Sequence, residues 1–124
     1  MISLGAAALG LLVILETSEE LIGAREFGCI VGSLSERRLL AAVDAVLVAL
    51  PPTSTFEVRP TPDERAAHRP EQRGVAIDSV HRYNPEAVIV VGVPFEHTRP
   101  QWIVTYGGQV AVDGGSQTLW ADYA

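Results

Sequence analysis

Residues 9–15 read LGLLVIL and residues 87–93 read AVIVVGV, two short apolar runs of which the first stops at Glu16 and the second at Pro94. Uninterrupted runs of this length are the pattern of strands covered on both faces, and that covering is what helices supply in an α/β domain. Outward from the first run, Thr17 and Glu20 have the spacing of a capping box, which predicts a helix start there. Phe27, Ile30, Val31 and Leu34 recur at i, i+3, i+4 and i+7, the inner face of that helix or of one resuming after Gly23. Ser35 followed by Glu36 predicts a second helix, with Leu39, Leu40, Val43 and Val46 or Leu47 inward. Residues 45–50 (AVLVAL) switch to a buried strand ended by Pro51-Pro52.

Residues 51–70 turn to Pro, Thr, Arg and Glu and read as an exposed excursion. Pro70 suits the first turn of a helix reaching about Tyr83, with Ala76, Ile77, Val80 and Tyr83 inward and Asn84-Pro85 as its stop. After the run at 87–93 the character changes. Residues 102–106, 109–112 and 116–120 are short β-type segments separated by Gly107-Gly108 and Asp113-Gly114-Gly115, both turn signals. The order βααβαβ followed by a β meander predicts an α/β domain with a mixed, partly parallel sheet.

The 124 residues make about one domain's worth of chain, with 48% apolar and 19% charged residue types, enough for a small core. The net charge is −6 and all nine basic residues are arginines, which argues against a nucleic-acid partner. Cys29 is the single cysteine, so no intramolecular disulfide can form and a reducing cytoplasm is the expected compartment. On the predicted helix face this thiol reads as inert packing. The apolar stretch at 1–15 has no basic flank and is shorter than the ~20 residues of a membrane span, so it reads as a buried strand and not as an anchor. A methionine placed directly on a core segment implies a chain that begins inside something larger. No His-x-x-x-His, cysteine pair or glycine-rich phosphate loop is present, so no metal or phosphate cofactor is expected.

Of the three histidines, His68 and His81 lie in polar surroundings and read as solvated surface residues. His97 follows the most hydrophobic run and sits in a loop bracketed by Pro94 and Pro100, where ligand and catalytic groups of α/β proteins concentrate. It either serves chemistry or bonds its own loop's backbone. Glu16 ends the other buried run, and it either helps Thr17 and Glu20 cap a helix or serves chemistry. A carboxylate and an imidazole at the ends of two core strands could meet at one sheet edge as the base and its orienter in a hydrolytic triad. The nucleophile is missing, since no Gly-x-Ser-x-Gly elbow is present.

Residues 13–20 (VILETSEE) and 93–108 (VPFEHTRPQWIVTYGG) resemble the carboxyl-terminal domain of the serine LD-carboxypeptidases, a family that includes muramoyl-tetrapeptide carboxypeptidases and microcin C self-immunity peptidases. The likeness extends to Tyr83-Asn84-Pro85 and Val112-Asp113-Gly114 and covers the chain from about Leu9. It implies a swivelling β/β/α-type domain in which Glu16 and His97 match the triad glutamate and histidine, while a separate amino-terminal domain carries the serine and oxyanion hole. It further implies hydrolysis of the L,D amide bond of murein tetrapeptides, or of the amide in an aminoacyl nucleotide, without metal or organic cofactor. His97 would take the serine proton and return it to the leaving amine, while Glu16 fixes the imidazole tautomer.

Two departures follow. Glu96 stands where the family has glycine, and residues 1–124 form a single domain without the nucleophile domain, which makes the chain either part of a longer protein or a truncated gene product. The alternative function is an inactive remnant kept as a binding or oligomerisation module. Either way, the chain alone is expected to be inactive, and the face left uncovered is expected to make it self-associate, as a homodimer, or be only marginally stable. Glu16 and His97 are expected within hydrogen-bond reach, on neighbouring parallel strands ending at Leu15 and Val93.

Overall fold

The computed structural model describes residues 11–17, 20–95, 99–104 and 107–123. Leu11–Leu15 forms β1, Ala24–Glu36 α1, Val43–Ala49 β2, Pro62–Tyr83 α2, Val88–Val93 β3, Val110–Asp113 β4 and Thr118–Ala121 β5. The first three strands make a parallel sheet in the order β1-β2-β3, and β4 pairs with β5 antiparallel. The fold is therefore mixed α/β, as expected, with the two strand directions segregated into a parallel trio and a separate hairpin in place of one mixed sheet.

Strand alternation builds the two faces. Val13, Leu15, Val46, Val48, Ile89 and Val91 face Phe27 and Val31 of α1 and Ala76 and Val80 of α2. Leu12, Ile14, Ala45, Leu47, Val88 and Val90 face the other way, where Phe95, Val104, Val110, Val112 and Leu119 cover them. The central strand β2 is covered on both sides, so its apolar run shows no period of two, whereas helices and hairpin each need only one apolar face. Two register slips interrupt the pattern. Leu11 pairs with Val43 but Leu12 with Ala45, leaving Asp44 outside the ladder, where its Oδ2 accepts the Leu11 N–H at 2.9 Å. Val48 pairs with Val91 but Ala49 with Val93, leaving Gly92 outside with φ +79°, a conformation that needs glycine.

Helix boundaries depart from expectation in three places. No helix starts at Thr17; α1 begins at Ala24 after Gly23, as the resuming alternative had it, and buries Phe27, Val31 and Ser35 while leaving Ile30 exposed. The second helix from Ser35 does not form. Ser35 belongs to the last turn of α1, its hydroxyl donating to Val31 O at 2.8 Å. The helix is closed by a Schellman motif, in which Leu39 N–H donates to Leu34 O at 3.0 Å and Arg38 N–H to Ser35 O at 2.8 Å. Arg38 carries the left-handed φ of 61° that glycine usually takes there, so the stop has no glycine to mark it.

The third departure is α2, which starts eight residues before Pro70. Thr61 Oγ1 accepts the Glu64 N–H at 3.3 Å, while Glu64 Oε2 accepts from the Thr61 N–H at 2.7 Å and its hydroxyl at 2.8 Å, a complete capping box with Pro62 behind it. Pro70 sits inside the helix and removes the N–H that Ala66 O would have received. Ala66 lies on the exposed side, where water can replace it. Asn84 ends α2 as expected, and its buried amide donates to Leu40 O and Val43 O, each at 2.9 Å. Of the expected meander segments, 109–112 and 116–120 overlap β4 and β5, while the described residues of 102–106, 102–104, lie outside regular structure.

Candidate functional site

Because β1, β2 and β3 run parallel, their carboxyl ends share one edge, and the chain leaves it at Glu16, at Leu50-Pro51 and at Pro94-Phe95. Loops leaving such an edge are where α/β sheets hold their ligands. Glu16 is exposed directly beyond Leu15. Since α1 begins only at Ala24, Glu16, Thr17 and Glu20 are not in its first turn, and the helix-capping role for Glu16 is removed.

His97 and its neighbour Glu96 lie outside the described residues, so the expected hydrogen bond between Glu16 and His97 has no measured distance. The strands leading to them are described, and they correct one expectation: β1 and β3 are not neighbours. Leu15 pairs with Val48 and Val48 with Val91, so β2 stands between, which at ~4.8 Å per strand separates the two ends by roughly 10 Å. A meeting of the two residues needs the chain beyond β3 to turn back across the end of β2.

Several features bend the chain there. The slip at Gly92 turns Val93 onto the hairpin face, and Leu50 N–H donates to Val93 O at 2.9 Å, holding the β2 exit against the β3 exit. Phe95 N–H also donates to Val93 O at 2.9 Å, a tight reversal, and the Phe95 ring is buried in the hairpin-side core. Trp102 N–H donates to Pro94 O at 2.6 Å, so the loop containing His97 is closed at its base.

A cleft of about 380 Å³ opens at the same edge between the strand ends and α2. Thr17, Leu50, Pro51, Val91 and Gly92 line the sheet side, and Arg69, Pro70, Arg73, Gly74 and Ile77 line the helix side. Arg69 Nε donates to Pro51 O at 3.2 Å, which fixes that side chain across the cleft's end. The cleft was not anticipated, because its helical wall lies partly in the stretch read as an irregular excursion. A wider depression of about 790 Å³ lies between the segment after β1 and residues 52–58, with Phe56 95% exposed at its rim.

The other candidate residues fall away from this edge. His81 is exposed, as expected, with Nε2 3.3 Å from Ala87 O, a contact that requires the proton on Nε2 because a carbonyl only accepts. His68 is half-buried on the stripe it shares with Gln72, Ala76 and Val80, and its Nε2 is buried without a hydrogen-bond partner, so its reading as a solvated residue is corrected. Cys29 is exposed on α1 and is not the packed thiol expected. Among the described residues, no three His, Cys, Asp or Glu side chains stand together as a metal site. No described helix is long and apolar enough to cross a membrane. No family model, curated protein or solved structure matches the chain.

Proposed function

We propose that this chain is the carboxyl-terminal, swivelling-type domain of a serine LD-carboxypeptidase-like hydrolase, supplying Glu16 and His97 to a triad whose serine comes from another domain. The single observation that carries this reading is the shared carboxyl edge, from which Glu16 leaves β1 and the loop containing His97 leaves β3. The loss of the helix-capping explanation for Glu16 adds to it. In the reaction His97 accepts the serine proton as the acyl-enzyme forms and returns it to the departing amine, and Glu16 offsets the imidazolium charge. The substrates are murein tetrapeptides, with aminoacyl nucleotides as the other class that the family resemblance implies. The cytoplasm is the proposed compartment.

The test is release of D-alanine from a murein tetrapeptide by this chain alone and together with a serine-bearing amino-terminal domain of the family. No turnover is expected alone, since base and orienter have nothing to activate. Turnover is expected with the complement, falling roughly 10³-fold or more in His97→Ala. Turnover indifferent to His97→Ala, or none with a correctly folded complement, would overturn the reading.

A second reading, a non-enzymatic binding or oligomerisation module, is favoured by exposed apolar residues on β5 and on the stretches that follow β3 and β5. Trp102, Ile103, Trp120 and Tyr123 are exposed, and the Tyr123 hydroxyl donates to Ile103 O, which draws the two stretches together. In both readings this patch is the proposed contact for a second copy.

A further inference from the structure

The cleft between the strand ends and α2 has a chemistry of its own. The chain as a whole is acidic, with a net charge of −6, yet this cleft draws two of its nine basic residues, one helical turn apart on α2. Arg69 is already oriented by Pro51 O, whereas Arg73 makes no hydrogen bond or ion pair among the described residues. Between the two guanidinium groups and the strand ends the walls are apolar or small: Pro70, Gly74 and Ile77 on the helix, and Leu50 and Val91 on the sheet. A Cβ built on Gly74 meets nothing within 4 Å, so the absence of a side chain there leaves the space open. An arginine is suited to a carboxylate because its planar fork can donate two parallel N–H bonds to the two oxygens. A cleft of about 380 Å³ with a few polar groups on apolar walls lies at the small end of the range for small-molecule sites, at the sheet edge where such sites occur.

We infer that this cleft is the subsite for the free terminal carboxylate of a peptide substrate, with Arg73 as the principal donor, Arg69 as its fixed companion, and the apolar wall accepting a small terminal side chain. The inference rests on the hydrolase reading for its substrate class, and it explains how a carboxypeptidase would register the end of a chain: a peptide continuing past that point has no carboxylate for Arg73 and meets the helix wall.

The experiment follows backbone amide resonances of the full chain during titration with N-acetyl-D-alanine, its neutral methylamide, and inorganic phosphate. Millimolar binding of the carboxylate is expected, with shifts confined to residues around 69–77, 49–51 and 91–92. The methylamide should bind at least about tenfold more weakly, and Arg73→Gln should weaken the carboxylate by a similar factor. Gly74→Leu, which puts a good helix former into open space, should fold and lose binding by filling the cleft. Equal binding of the methylamide, binding unaffected by both variants, or shifts located elsewhere would overturn the assignment. Phosphate bound more tightly than the carboxylate would overturn it too. Turnover with the serine-bearing complement reads the triad, whereas these titrations read the cleft in the chain alone, so a failed triad and a failed subsite give different results.

Discussion

Arg38 and Asn84 show how much individual side chains decide in this fold. Arg38 holds the left-handed backbone that ends α1, a conformation that costs an L-residue roughly 1 kcal/mol or more and glycine little. Arg38→Gly is therefore expected to stabilise the chain by about 1 kcal/mol, measured as a higher urea midpoint with unchanged slope. Asn84, at the end of α2, satisfies the Val43 carbonyl at the start of β2 and the Leu40 carbonyl in the turn before it, both contacts reaching more than forty residues back along the chain. Asn84→Ala strands those carbonyls and should cost about 2 kcal/mol in the same measurement. At this scale the sequence was legible where a residue has one ordinary use, as with Asn84-Pro85 stopping a helix. It misled where a residue did something uncommon: Ser35 has the type of an N-cap but bonds back into its own helix, and Arg38 takes a glycine's place.

The elements were read best where their packing repeats in the sequence. All three parallel strands fall within the apolar runs or within two residues of them, because each must face cover on at least one side. The amino-terminal half of α2 was missed although Thr61 and Glu64 spell a capping box, since Pro60, Pro62 and Pro70 weighed the stretch toward irregular structure. That box makes α2 acid-sensitive. The Thr61 backbone N–H, then its hydroxyl, hold the Glu64 carboxyl below its ordinary range. A lowered folded value means the stabilisation is present above the unfolded value and disappears as pH falls through the folded one. Asp113 behaves alike, held low by Ser116 first and Gly115 after it. Glu64→Gln should thus be less stable than the parent at neutral pH, and the difference should shrink as pH falls through the lowered carboxyl range, read from urea midpoints at each pH.

For the whole molecule, the parallel order β1-β2-β3 creates the shared edge, and the register slip at Gly92 turns the exit of β3. The presence of an acid and a histidine just past two apolar runs was readable from the chain, and parallel pairing puts the exits of β1 and β3 on one edge. The intervening strand was not readable, because strand order depends on how two crossovers stack their helices and leaves no local signal. The exposed patch around Trp102 and Ile103 belongs to this scale as well. The chain is expected to sediment as a dimer at high concentration, and a double Trp102→Ser, Ile103→Ser variant should shift it toward monomer. The proposed partnership of Glu16 and His97 is most directly tested by NMR titration of the imidazole resonances in the parent chain and in Glu16→Gln, with His68 and His81 as internal references and Glu96→Gln as the control for the adjacent carboxylate. A carboxylate facing the ring favours the imidazolium, so the His97 pKa should fall by about one unit in Glu16→Gln while His68 and His81 stay unchanged. A His97 titration identical in parent and Glu16→Gln would contradict the pairing.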